Sequence, residues 1–233
     1  MKPISNPRVK ICCIASIEEM HLAVAYGASA VGLVSAMPSG PGPIPEEAIA
    51  EIATHIPPPV ASFLLTSKQD AASIIAQQKK CRTNTIQLCD EIDQRTYREL
   101  RNSLPGVSLV QVIHVNGPES VREAVAVSEY VDAILLDSGS PTAAVKVLGG
   151  TGRVHDWKVS KTIREAVDIP VFLAGGLRAD NVPRAISEVA PFALDVCSGV
   201  RTEGKLDETK LARFFEAVRE HQSRNNASGA SRG

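Results

Sequence analysis

The sequence has no long apolar run and few aromatic residues. Aromatic residues make up 4% of its 233 positions, and no stretch approaches the roughly 18 consecutive apolar residues that a membrane-spanning helix needs. The first ten residues, MKPISNPRVK, lack the apolar stretch of a signal peptide. We therefore expect a cytoplasmic protein that has no membrane partner.

An excess of charge of either sign is also missing. The chain has 25 lysine and arginine residues against 26 aspartate and glutamate residues, a formal net charge of −1. Such a balance argues against a surface built for nucleic acid. We expect no nucleic-acid partner.

The cysteines do not form the pattern of a disulfide framework or of a zinc site. Their number is odd and no CxxC pair occurs among Cys12, Cys13, Cys81, Cys89 and Cys197. A disulfide framework needs paired cysteines, and a zinc site needs closely spaced ligands. Free thiols are typical of a reducing compartment. We predict no metal site, and the cytoplasm as the location.

What the sequence does contain is a regular alternation of strands and helices. Eight short segments rich in β-branched residues are each followed by an amphipathic helical segment; they lie at 9–13, 30–34, 59–65, 84–89, 107–115, 132–137, 169–176 and 192–199. Strict alternation implies parallel strands with right-handed crossovers. Eight units in this length predict an α/β fold of the (β/α)8 barrel type.

The barrel accounts for one domain over residues 1–222. Residues 223–233 are small and polar, which predicts a disordered tail. An open, doubly wound sheet is the alternative fold. It typically has a glycine fingerprint after the first strand, and ICCIAS does not supply one.

Small residues end the last two predicted strands. AGG (174–176) ends the seventh strand and CSG (197–199) ends the eighth. Ligands of such barrels bind at the carboxyl ends of the strands, and phosphate is frequently held at this corner. Glycine also lets the backbone approach a ligand closely. We predict a phosphate cradle at Gly175, Gly176, Ser198 and Gly199; the alternative is that these glycines only turn tight corners.

Two reactive side chains end other strands. Cys12 ends the first strand, where a thiol can act as a general base or pack as a small apolar group. Asp137 ends the sixth strand and should face the barrel mouth, with Ala133 and Leu135 on its side; the alternative is a cap of the next loop. Cys13 should alternate to the opposite face and pack there.

Further candidates lie near the predicted mouth. The loop 138–155 is long enough to be a mobile lid, and it contains Gly150, Gly152 and His155. His114 ends the fifth strand and is a candidate substrate contact.

Lys10 and Asp195 lie on strands that adjoin if the barrel closes. Each stands two residues before a strand-ending cysteine. Since an unpaired buried charge is costly, we predict that they form an ion pair inside the barrel.

Taken together, the motifs resemble the phosphoribosylanthranilate isomerase family. They are VKIC, LLDS, GGTG followed by HDW, AGGL, and DVCSGV followed by GKLD, in the same order and spacing from Val9 to about Asp207. The resemblance implies an Amadori rearrangement in tryptophan biosynthesis, a small phosphorylated substrate, no cofactor, and a monomer or homodimer.

The resemblance also implies roles for single residues. Cys12 is similar to the general base that removes the sugar C2′ proton, and Asp137 to the general acid that opens the furanose ring. The substrate and phosphate contacts that it implies are Gly175, Gly176, Ser198, Gly199, Gln87 and, in the loop above, Gly150 and Gly152.

The sequence departs from the family pattern around the aglycone. Cys13 replaces a usual glycine, Cys89 a histidine and His155 a phenylalanine, and the loop 35–44 has no arginine for the anthranilate side. A buried carboxylate favours a bidentate arginine partner. Two alternatives therefore stay open. One is an isomerase or epimerase of another phosphosugar, and the other is a non-catalytic barrel that binds phosphometabolites.

Overall fold

The computed structural model describes residues 7–138 and 156–230. Its strands form a closed parallel barrel in which each strand pairs with the next in sequence and the last pairs with the first. They are β1 (Arg8–Ile11), β2 (Ala30–Val34), β3 (Ala61–Thr66), β4 (Thr85–Leu88), β5 (Ser108–His114), β6 (Ala133–Asp137), β7 (Val171–Leu173) and β8 (Ala193–Val196). The predicted (β/α)8 barrel is confirmed, and the open sheet is excluded.

A helix follows every strand of the barrel. The helices are α1 (Ile17–Tyr26), α2 (Glu46–His55), α3 (Ala71–Cys81), α4 (Gln94–Ser103), α5 (Glu119–Ser128), α6 (Trp157–Ala166), α7 (Val182–Val189) and α8 (Glu208–Ala230). A short 3-10 helix (Ser198–Val200) and a two-stranded hairpin, β9 (Arg201–Thr202) and β10 (Lys205–Leu206), lie between β8 and α8. In the described part of the chain, no helix is both long and apolar enough to span a membrane.

Local capping decides where several helices begin. The Ser16 hydroxyl accepts a hydrogen bond from the Glu19 N–H at 3.2 Å, which is one half of a capping box. Helix α3 begins at Ala71 because the Asp70 carboxylate caps it by accepting from the Ser73 N–H.

Helix α8 is longer than the sequence predicts. It continues to Ala230, so residues 223–230 are helical where composition predicts a disordered tail. Its first half is anchored to the barrel by Leu211, Phe214, Phe215 and Val218. Once a helix is nucleated, each further residue adds a hydrogen bond at low cost, and polar residues can therefore extend it.

Alternation along the strands divides the core in two. The larger cluster lies between the sheet and the helices, and the smaller one fills the barrel interior. Ala133 and Leu135 belong to the interior cluster, as expected. Period-2 geometry therefore brings Asp137, at the end of the same strand, to the barrel mouth.

The predicted ion pair inside the barrel is confirmed. Lys10 Nζ lies 2.9 Å from an Asp195 carboxylate oxygen, and the two residues are register partners across β1 and β8. Lys10 Nζ also lies 5.1 Å from the centre of the Phe63 ring. Burial alone lowers the pKa of Lys10, but Asp195 and Cys12 outweigh that effect and raise it above its ordinary value. Lys10 is therefore a buried, charged group that depends on its partner.

Removing one partner of this pair should destabilise the fold strongly. Lys10→Met leaves the Asp195 carboxylate buried without its counter-charge, and we expect a loss of about 3–5 kcal/mol in the free energy of unfolding, measured in urea. Lys80→Met, which breaks a surface pair with Glu47, is the control and should cost about 1 kcal/mol or less. The double variant Lys10→Met/Asp195→Leu should recover part of the loss; a double variant less stable than Lys10→Met would contradict this account.

Candidate active site

A cavity of about 70 Å³ opens at the carboxyl ends of the strands. Both proposed reactive side chains, Cys12 and Asp137, line it. The described lining also includes four of the predicted binding residues, Gln87, Gly175, Gly176 and Ser198. Residues that are far apart in the sequence thus line one cavity in the fold.

The position of Cys12 depends on a glycine in the neighbouring strand. The Cys12 N–H donates to the Val196 carbonyl at 2.9 Å, which extends the β1–β8 pairing to the barrel mouth. A Cβ atom at Gly32 would lie 2.9 Å from Cys12 Sγ and 3.1 Å from Lys10 Nζ. The missing side chain at position 32 therefore makes room for both the thiol and the buried ammonium group.

Asp137 is held at the end of β6 by its own turn. Its carboxylate accepts a hydrogen bond from the Ser138 N–H at 2.7 Å. His114 is its register partner on β5 but is not part of the described cavity lining. His114 Nε2 lies 3.2 Å from the Cys89 carbonyl oxygen, and its Nδ1 is buried without a partner among the described residues. Asp137 thus reaches the cavity, whereas His114 does not belong to its described lining.

Gln87 offers an unused acceptor in the cavity. Its Oε1 is buried and has no hydrogen-bond partner among the described residues, and its Nε2 lies 3.7 Å from Cys89 Sγ. Burial raises the pKa of the Cys89 thiol far above its ordinary value. Cys89 is therefore a neutral thiol, whereas Gln87 is suited to accept a hydrogen bond from a hydroxyl group.

The turn after β7 has the backbone shape that an anion cradle needs. Gly175 and Gly176 have φ angles of 84° and 62°, a region that favours glycine. The Asn181 side chain holds the turn by donating to the Gly176 carbonyl at 2.9 Å. Among the described residues, no backbone carbonyl accepts a hydrogen bond from either glycine N–H. Within the described part of the chain, these N–H groups are therefore open to a ligand.

The turn after β8 packs directly on this segment. A Cβ atom at Gly199 would lie 1.9 Å from the Leu177 carbonyl oxygen. Ser198 and Gly199 can therefore stand beside the β7 turn only because position 199 has no side chain.

A family model for N-(5′-phosphoribosyl)anthranilate isomerase matches residues 9–217. The chain belongs to this family. The isomerase of Methanosarcina acetivorans is 34% identical over 226 residues, which cover 91% of this chain and 93% of that one. The resemblance found in the motifs is confirmed.

Solved structures of the isomerase family have the same fold. The isomerase from Thermotoga maritima superposes with a TM-score of 0.79 and 29% identity, covering 92% of this chain and 99% of that one. A phosphoribosylanthranilate isomerase in complex with reduced 1-(o-carboxyphenylamino)-1-deoxyribulose 5-phosphate gives a TM-score of 0.77 and 27% identity, with the same coverage.

The prediction for Cys13, which stands where the isomerase family usually has glycine, is wrong. Cys13 lines the cavity and belongs to the interior cluster instead of packing on the opposite face. Strand β1 ends at Ile11, and Cys13 has a φ angle of 63°. A left-handed residue breaks the alternation of an extended strand, and its side chain therefore turns back to the mouth.

An ion pair joins Arg201 to Glu19, and no local sequence pattern predicts it. Arg201 donates to the Cys12 and Cys13 carbonyls at 3.2 and 2.6 Å, and to the Glu19 carboxylate at 3.0 Å. Partial burial alone raises the pKa of Glu19, but hydrogen bonds from Arg201 outweigh it and lower that pKa. The only local signal was Glu19 in the capping box; nothing in the sequence links it to position 201.

The loop 35–44 forms one wall of the cavity. Met37, Ser39, Gly40 and Pro41 line the cavity, and no lysine or arginine is present in the part of the lining that the structure describes. The predicted lid residues Gly150 and Gly152, and His155, lie outside the described residues.

Gly199→Ala should damage the corner between β7 and β8. The added Cβ collides with backbone that has no room to move, so we expect a loss of about 1–3 kcal/mol in the free energy of unfolding and weaker binding of phosphorylated ligands. Urea denaturation and calorimetric titration measure the two effects. Gly117→Ala is the control, because its Cβ would meet only the flexible carboxylate of Glu119. Equal behaviour of the two variants would contradict this interpretation.

Proposed function

We propose that this chain catalyses the Amadori rearrangement of N-(5′-phosphoribosyl)anthranilate in tryptophan biosynthesis, without a metal or organic cofactor. The single observation that carries the proposal is that a thiol and a carboxylate, Cys12 and Asp137, line one cavity beside the glycine turns of β7 and β8. Membership of the isomerase family supports it.

The reaction needs one acid and one base. Asp137 protonates the furanose ring oxygen, the bond from that oxygen to C1′ breaks, and the nitrogen lone pair forms a C1′ iminium ion. The iminium group acidifies the proton on C2′, which Cys12 removes as the general base to give an enolamine. Tautomerisation of the enolamine gives the 1-deoxyribulose product. No electrons leave the substrate, so positioned acid–base groups suffice.

The phosphate group anchors the substrate in this proposal. Its oxygens accept hydrogen bonds from the N–H groups of Gly175, Gly176, Ser198 and Gly199, at the corner where such barrels frequently hold phosphate. The Gln87 Oε1 atom accepts from a sugar hydroxyl. Contacts by Gly150 and Gly152 from the loop above, and by His114, stay predictions.

Replacing either reactive side chain should remove turnover. We expect Cys12→Ala and Asp137→Asn each to lower kcat by about 10²–10⁴, the usual contribution of one general acid or base, measured by the loss of substrate anthranilate fluorescence. Cys81→Ala and Asp93→Asn are matched controls, because Cys81 lies on α3 and asparagine caps α4 as aspartate does.

Both controls should keep activity. A Cys12→Ala or Asp137→Asn enzyme with full activity would contradict the assignment. A wild-type chain that binds the substrate without turnover would favour the phosphometabolite-binding alternative.

The described cavity lining favours weak recognition of the anthranilate carboxylate. A site built to bind a charged group rejects analogues that lack it by large factors, but no cationic side chain of the described lining is available for that role. We expect kcat/KM for N-(5′-phosphoribosyl)anthranilate to exceed that for the phosphoribosyl aniline analogue by less than about tenfold. A preference of several hundredfold would contradict this expectation. Faster turnover of another phosphosugar would favour the second candidate function.

We also propose an assembly and a location for this chain. A relative from Thermotoga maritima is described as dimeric, and for this chain we propose a monomer or homodimer in the cytoplasm. Its proposed partner is a small phosphorylated substrate, with no nucleic acid and no membrane.

A further inference from the structure

Four cysteines line the described cavity at the mouth of the barrel, and three of them, Cys13, Cys89 and Cys197, have no role in the proposed reaction. Cys13 and Cys197 both line the cavity, and their Sγ atoms lie 2.7 Å apart although 184 positions separate them in the chain. This distance is shorter than the van der Waals contact of two sulfur atoms. The pairing of β1 with β8, which closes the barrel, thus brings these two thiols into contact.

Cys13 occupies this position in a strained backbone conformation. Its left-handed conformation is uncommon for a residue other than glycine, asparagine or aspartate, and such strain persists only where surrounding contacts enforce it. Arg201 enforces it by binding the Cys13 carbonyl. On the other side, Cys13 Sγ lies 3.6 Å from the Pro41 carbonyl oxygen, and a Cβ atom at Gly42 would lie 2.7 Å from Cys13 Cβ.

The two thiols also differ in proton affinity. A hydrogen bond with Cys13 lowers the pKa of Cys197; burial opposes this effect and the charge of Arg201 adds to it. The pKa of Cys13 is raised by its hydrogen bonds with Cys12 and Cys197 and by burial. The more acidic thiol of a pair supplies the attacking thiolate. Cys197 is also the more exposed of the two, whereas Cys13 is buried, and we therefore assign Cys197 as the thiol that attacks first.

We propose that Cys13 and Cys197 form a reversible disulfide that closes the substrate cavity, a redox modification site whose effect on turnover rests on the proposed function. The oxidant is a hydroperoxide. The Cys197 thiolate attacks the peroxide and becomes a sulfenic acid while one oxygen leaves as water or alcohol. Cys13 then attacks the sulfenic sulfur, a second water leaves, and the S–S bond forms. A dithiol returns both sulfurs to thiols by exchange.

The cross-link closes the site because of what it connects. It joins the residue after Cys12 to the residue before Ser198, and Cys13 also contacts the loop at Pro41. The described cavity measures about 70 Å³, whereas sites for small ligands typically enclose about 300–1,000 Å³. A phosphorylated sugar therefore needs more space than the cavity offers, and we expect a disulfide that fixes the Cys13 side chain to keep the cavity small.

Peptide mapping tests the bond without reference to activity. The full chain is treated with hydrogen peroxide, digested without reductant and analysed by mass spectrometry. We expect a linked peptide pair containing residues 13 and 197 in the wild type and in Cys12→Ser, and none in Cys13→Gly or Cys197→Ser. A link that persists in Cys13→Gly, or is absent from the wild type, would overturn the proposal.

Ligand binding tests the closure separately from turnover. The probe is reduced 1-(o-carboxyphenylamino)-1-deoxyribulose 5-phosphate, titrated by calorimetry before and after peroxide treatment. We expect oxidation to weaken binding to the wild type at least about tenfold, dithiothreitol to restore it, and Cys197→Ser to be insensitive. Unchanged binding to the cross-linked wild type would overturn the closure. Failure of the proposed function would appear differently, as absent turnover in the reduced enzyme.

Discussion

Strands β1 and β8 pair from Arg8 to Ile11, and the remaining features of the site depend on this pairing. It closes the sheet, which leaves no open edge, and it buries Lys10 against Asp195 in the barrel interior. The same register carries Cys12 to the carboxyl end of the barrel, next to the β8 turn that begins at Cys197. An ion pair that is costly to break thus fixes the ends of β1 and β8, around which the proposed chemistry takes place.

Much of this architecture could be predicted because barrel geometry converts local patterns into long-range positions. Alternating strands and helices predict parallel pairing, and parallel pairing brings all carboxyl ends to one edge. Period-2 alternation then places Asp137 in the mouth from its neighbours Ala133 and Leu135. The Lys10–Asp195 pair followed from the same register argument, because in a closed barrel the first and last strands must adjoin.

Other parts of the site could not be predicted, for physical reasons that differ. The position of Cys13 depends on a left-handed residue just after β1, where strand alternation no longer applies. The bonds from Arg201 to Glu19 and to the Cys13 carbonyl depend on the fold, since no local pattern connects these residues. His114 lies outside the described cavity lining and its Nε2 lies 3.2 Å from the Cys89 carbonyl oxygen, a contact that the residue types alone do not reveal.

The central claim is that one cavity holds the sugar between Cys12 and Asp137 while the β7 and β8 turns hold its phosphate. A crystal structure with reduced 1-(o-carboxyphenylamino)-1-deoxyribulose 5-phosphate tests it most directly. The account predicts phosphate oxygens about 2.7–3.2 Å from the N–H groups of Gly175 and Gly176, with the thiol and the carboxylate on opposite sides of the sugar C1′–C2′ bond. A ligand bound with its phosphate away from these turns, or a sugar that neither side chain contacts, would contradict it.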